Sequence, residues 1–153
     1  MTDELQEYIE QHISEEPAHL AKLYRHTQLT RLYPRMCSGH IQGRMLKMLT
    51  QMISPMRVLE LGTFTGYSAL CMAEGMPEGA ELHTVELDDE YADDIRSYFE
   101  SAPCGGKITL HIGDALELGS CPARGTWCLS MPTNVSTANI IRLCYRWCPR
   151  ADI

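Results

Sequence analysis

The segment Arg57 to Ser68, RVLELGTFTGYS, constrains this chain more than any other, because an apolar run there stops at a glycine-punctuated turn that opens onto helical spacing. Val58, Leu59 and Leu61 suit an interior parallel strand, Gly62 and Gly66 relieve crowding in the turn, and Tyr67 to Glu74 resume the period of a helix. Strand, turn and helix in that order leave the N–H groups of the new helix free to face a polar ligand. That is the layout of a nucleotide-type cofactor site. It is not the GxGxxG of dinucleotide sites, since Thr63 to Thr65 separate only two glycines, and Glu60 lies on the strand just before the turn. A pyrophosphate is repelled by that carboxylate, whereas a ligand with a cationic or hydroxyl-rich centre is not. The residues therefore lean away from NAD and toward S-adenosylmethionine (SAM).

A second acidic residue continues the pattern. Leu82 to Leu87, LHTVEL, reads as the next strand and carries Glu86 near the offset where such folds place a ribose-binding carboxylate. A third strand, Ile108 to Ile112, runs into Gly113, Asp114 and Ala115. Three strand ends would line one crevice. Taken singly, Gly62 and Gly66 could serve only a tight turn, Glu86 could be an exposed strand-end charge and Asp114 an ordinary turn residue. Their joint order along alternating strands and helices supports the functional reading.

These residues resemble the SAM-dependent O-methyltransferases of the caffeoyl-CoA and catechol type, over about Leu29 to Glu117, with LELGTFTGYSAL close to that family's signature. The resemblance implies an α/β, Rossmann-like methyltransferase fold behind N-terminal helices. It implies that Glu60, Gly62, Thr63 and Ser68 contact the methionine and ribose portions of SAM, Glu86 the ribose, and Asp114 with Ala115 the adenine edge. The segment Met36 to Gly43, MCSGHIQG, resembles the loop that covers the cofactor, which puts Cys37 and Ser38 in contact with it. The implied reaction moves the SAM methyl group to a hydroxyl of a small, catechol-like acceptor. In that family a divalent cation, usually magnesium, holds the acceptor oxygens and lowers the pKa of the attacking hydroxyl, while a lysine takes its proton.

A length of 153 residues fits one domain with a real core, though it is short for a doubly wound methyltransferase. The formal charge of −7 argues against nucleic acid as a partner. Met1 to Glu16 lacks the basic start and apolar core of a signal peptide, and no stretch is long enough to span a membrane, so a cytoplasmic protein with reduced cysteines is expected. Three helices are expected before the first strand: Glu4 to Ile13, with Leu5, Ile9 and Ile13 in one stripe; Ala18 to Leu32; and Ile41 to Ile53. Met45, Leu46, Met48, Leu49 and Met52 make the third strongly apolar, and a methionine stripe of this kind reads as core. The resemblance suggests that these helices cover the cofactor and support a homodimer. His12, His19, His26 and His40 lack metal-ligand spacing and read as surface residues.

Composition breaks near Leu118. Residues Leu118 to Ala151 contain no Asp or Glu, whereas Met1 to Glu117 holds 19 of the 20 acidic residues and 9 of the 13 basic ones. Both tryptophans, Trp127 and Trp147, and four of the seven cysteines lie in this tail. The resemblance demands a fourth strand here, ending in a metal-binding aspartate with a lysine nearby, and neither residue is present in frame. The genetic code offers a reason. Joining the third base of each codon to the first two of the next permits WDLVFIDADKR across Arg124 to Val135, and the same offset then permits EYY, LVLPLV and PGGY. These are the family's next strand, helix and glycine turn, in order. A one-base slip near Leu118 to Ser120 is therefore expected to have replaced the rest of the chain with out-of-frame sequence.

The expected organisation is an N-terminal helical cover (1–55), a SAM-binding Rossmann-like half (56–117) that is incomplete after the third strand, and an aberrant tail (118–153). A zinc knot of Cys121, Cys128, Cys144 and Cys148 is a rival reading of the tail. Its six and three intervening residues, with no CxxC, suit zinc poorly. Three function classes follow: an O-methyltransferase family member whose defective C-terminal tail leaves it inactive, a non-catalytic SAM-binding or dimerisation module, and a nicotinamide-dependent oxidoreductase that the missing GxGxxG disfavours.

Overall fold

The computed structural model of the chain describes residues 3–115, 117 and 127–130. Three helices come first: α1 (Asp3–His12), α2 (Ala18–Thr30) and α3 (Gly39–Ile53). A short 3-10 turn, Pro34–Met36, separates the last two. Alternating elements follow: β1 (Arg57–Leu61), α4 (Tyr67–Gly75), β2 (Glu81–Glu86), α5 (Ala92–Ser101), β3 (Ile108–Ile112) and β4 (Trp127–Ser130). Helix α2 stops two residues before the expected Leu32. Arg31 is already extended, and its N–H closes the last turn on Thr27 O at 3.1 Å. Helix α5 was not anticipated, although Asp93 and Asp94 in its first turn and buried Ala92, Ile95 and Phe99 give it both an end signal and a face.

The sheet is parallel with strand order β3-β2-β1-β4. Chain order runs outward from β1 to β3 and then crosses to the other side of β1, which makes β1 and β4 the topological switch point of an incomplete Rossmann-like sheet. The fourth strand that the resemblance demanded is present as four residues, with Val58 to Leu61 in register with Trp127 to Ser130.

One face of the sheet carries the core. Val58 and Leu82 pack with Leu20 and Leu23 of α2, Leu46 of α3, the nearly all-apolar α4, and Ile95 and Phe99 of α5. Helices α3 and α4 touch closely at Gly43, where an added Cβ would lie 2.6 Å from Cys71 Sγ and 2.8 Å from the Tyr67 ring. Beside that contact the buried Arg44 Nη1 meets Glu74 Oε2 at 2.9 Å, with Lys47 and His19 also on Glu74.

The methionine stripe of α3 is not core. Met45, Met48 and Met52 are 49, 51 and 75% exposed, while Gly43, Arg44, Leu46 and Thr50 are buried. Close approach to α4 selects the face that carries small residues, and the bulkier thioethers turn outward. Leu5 of α1 is likewise exposed.

Candidate functional site

The turn after β1 is shaped by its own residues. Phe64 sits at φ 53 and Gly66 at φ 85, and Gly66 N–H closes on Thr63 O at 2.9 Å. A phenylalanine in the left-handed region is uncommon and persists only where its surroundings hold it. Those surroundings are the ends of the neighbouring strands. Gly62 N–H and Thr63 N–H donate to Val85 O at 2.9 and 3.2 Å, and Phe64 N–H donates to Glu86 Oε2 at 2.6 Å. Gly113 N–H donates to Glu86 O at 2.8 Å, which ties the end of β3 to the end of β2. Gly62, Thr63 and Glu86 thus form one rim, with Gly113 bonded to it and Asp114 and Ala115 directly following.

The Glu86 carboxylate also accepts Leu87 N–H at 2.9 Å and Asp88 N–H at 3.3 Å through Oε1. Three backbone donors fix its direction. A carboxylate offers about four lone-pair sites, so capacity remains for a ligand hydroxyl.

Glu60 is buried together with Thr63 and Ser68, which are 2 and 3% exposed. It is 0% exposed, and both of its oxygens are occupied: Ser68 Oγ donates to Oε1 and Thr84 Oγ1 to Oε2, each at 2.6 Å. Thr84 is its register partner on β2, so the two side chains share the helix-covered face. Since the single Thr84 proton goes to Glu60, Thr63, whose Oγ1 is 2.6 Å from Thr84 Oγ1, donates to Thr84. The chain of donors Thr63 to Thr84 to Glu60, met by Ser68 from α4, links the turn to the first turn of the helix. Burial pushes the Glu60 carboxyl up to about 7 against the two hydroxyl bonds, which pull it down; the nearby Glu86 charge adds to the rise.

The loop before α3 reaches the turn from the other side. Cys37 is half-buried, and burial raises its thiol pKa against the opposing pull of the Gly39 N–H and the Thr65 and Thr27 hydroxyls. Ser38 opens α3 without a side-chain capping bond. An open, largely apolar hollow of about 430 Å³, lined by Leu32, Tyr33, Pro34, Arg35 and Met36, lies in the segment leading to Cys37. Phe64, Thr65, Thr84 and Thr27 were not singled out in the sequence. Thr84 has a signal there, since it lies two residues before Glu86 on a strand and so shares its face, whereas Thr27 has none. Among the described residues, no three His, Cys, Asp or Glu side chains gather into a set that could hold a metal ion. The proposed cysteine knot falls outside the described side chains.

A sequence model described as O-methyltransferase matches residues 10–120. A catechol O-methyltransferase of Niastella koreensis is 31% identical over 77 residues, covering 50% of this chain and 35% of that protein. The caffeoyl-CoA O-methyltransferase of Stellaria longipes is 27% identical over 103 residues, covering 67% and 42%. The chain thus spans well under half the length of these curated relatives. Among solved structures, the SAH-bound Podospora anserina methyltransferase PaMTH1 superposes with a TM-score of 0.84 at 23% identity, over 93% of this chain and 62% of that one. The Bacillus cereus O-methyltransferase in complex with SAH gives 0.67 at 26%, over 74% and 51%. A family match over most of the chain, joined to a glycine turn and acidic strand ends bonded into one rim, shows that the chain belongs to the O-methyltransferase family.

Proposed function

We propose that the chain binds SAM at the carboxyl ends of β1, β2 and β3, as a member of a family that methylates hydroxyls of small, catechol-like acceptors. The observation that carries this reading is the rim itself, in which Glu86 orders the Phe64 N–H while keeping acceptor capacity toward the crevice. When bound, SAM supplies a methyl group activated by its sulfonium. Glu86 takes the ribose hydroxyls, Gly62, Thr63 and Ser68 face the methionine and ribose portions, and Asp114 with Ala115 borders the adenine. Cys37 and Ser38 cover the cofactor. Glu60, enclosed and doubly bonded, acts through Ser68 and Thr63 rather than by touching the ligand. The apolar hollow before Cys37 suits an aromatic acceptor, since such sites are concave and largely apolar.

The described residues do not fit the divalent cation of the intact family, and no residue from Leu118 to Ala151 is a carboxylate. This favours a second reading, a SAM-binding module with negligible methyl transfer whose tail (118–153) is out of frame behind a helical cover (1–55) and a cofactor half (56–117). No described helix is long and apolar enough to cross a membrane. A cytoplasmic homodimer built on the N-terminal helices completes the proposal, checked by sedimentation.

Calorimetric titration with SAM, run on the chain and on Glu86→Ala, tests the cofactor reading. Binding that weakens in the variant supports it, and no binding by the parent chain refutes it. Magnesium-dependent turnover of a catechol would overturn the binding-only reading. Resequencing across Leu118 to Ser120 decides the frame: a base sequence that does not spell DADK in the neighbouring frame removes the slip.

A further inference from the structure

Every bond that holds the glycine turn from below comes from β2: Val85 O takes Gly62 and Thr63, Glu86 takes Phe64, and Thr84 takes the Thr63 hydroxyl. From above, the hold comes from α2. Thr27 is 0% exposed, its Oγ1 lies 2.9 Å from Leu23 O and 3.2 Å from Thr65 Oγ1, and Thr65 is itself buried. Thr65 lies between Phe64 and Gly66, two of the three positive-φ positions of the turn. Thr27 Oγ1 is the donor in both contacts, its one proton shared between the Leu23 carbonyl and the Thr65 hydroxyl.

We propose that Thr27 is a positioning residue for the cofactor turn, through which the N-terminal helical cover sets the conformation of Phe64 to Gly66. The inference rests on the SAM reading of that turn and deepens it, because it makes cofactor affinity depend on a side chain 35 residues upstream of Gly62 in sequence. A Thr–Thr bond in the interior has a specific geometry that an apolar contact lacks. Packing alone would accept a valine in place of Thr27, since the shape is nearly the same, whereas the hold on Thr65 needs the oxygen. Losing it leaves the Thr65 oxygen buried without that donor and loosens a turn that already contains a left-handed phenylalanine.

The test compares the full chain with Thr27→Val and Thr27→Ser, using two readouts: SAH affinity by calorimetry, and amide hydrogen exchange at Phe64 and Gly66 without ligand. The expected result is SAH binding about tenfold weaker in Thr27→Val, the loss of roughly one hydrogen bond, with faster exchange confined to the turn and recovery in Thr27→Ser. Unchanged affinity and unchanged turn exchange in Thr27→Val would overturn the proposal. So would a loss of stability spread evenly over the core, which marks Thr27 as ordinary packing. If Thr27→Val does not fold, Thr65→Val removes the same bond from the turn side and is read in the same way. The exchange arm needs no cofactor, so a parent chain that fails to bind SAH sinks the SAM reading, while Thr27-dependent exchange at Phe64 still upholds the hold on the turn.

Discussion

At the scale of single residues, the glycine turn is braced by a buried carboxyl. Glu60 is fully enclosed, and its carboxyl is pushed up to about 7 from an ordinary 4.5, chiefly by burial. The folded chain therefore holds a proton that the unfolded chain releases above about pH 4.5. Stability from this group is fully present below that pH, falls as pH rises to about 7, and is constant beyond. The loss is on the order of 3 kcal/mol. Glu60→Gln keeps a side-chain acceptor and removes the charge, so urea unfolding at pH 5 and pH 8 should differ much less in the variant than in the parent chain. Gly66 is constrained twice, by φ 85 and by the Phe99 ring, which would lie 2.5 Å from an added Cβ. Gly66→Ala should cost about 2 kcal/mol or more, read as a lowered melting temperature. Both residues stood out in the sequence, Gly66 by the turn pattern and Glu60 by its place before it. That Glu60 faces inward was not legible there, because only pairing with β2 puts Thr84 beside it.

At the scale of elements, helix α3 shows how packing overrides composition. Its apolar count favours the methionines as the inner stripe, yet the inner face is Gly43, Leu46 and Thr50, spaced three and four apart. Close contact with α4 requires a residue without a side chain at Gly43, and the rest of the face follows from the helical period. Gly43→Ala should separate the two helices and cost on the order of 2 kcal/mol in a chemical melt. Met48→Lys, on the outer face, should stay within about 0.5 kcal/mol of the parent chain. The second outcome separates an outward methionine stripe from a buried one. Helices α2 and α5 meet through another set of contacts: Arg31 bonds Asp94 and lies 3.8 Å from the centroid of the Tyr91 ring, and Tyr98 Oη is 2.5 Å from His26 Nδ1. Nothing local in the sequence announces these pairs, which lie 60 or more residues apart.

At the scale of the molecule, the order β3-β2-β1-β4 places the glycine turn at the switch point where open α/β sheets bind ligands. If the tail is out of frame, restoring the reading frame after Leu118 should raise the melting temperature by roughly 10 °C and bring magnesium-dependent methyl transfer, measured side by side with the parent chain. Unaltered melting and activity would show that the present tail already serves the fold. The strands and helices from Ala18 to Ile112 were largely readable in order, because period, glycine placement and strand-end acids are local signals carried by neighbouring residues. Which face of α3 is buried, that Glu60 is sealed behind Ser68 and Thr84, and that Thr27 meets Thr65 were decided only when distant segments packed. Such contacts depend on the distance of approach between elements, a quantity that no stretch of sequence contains.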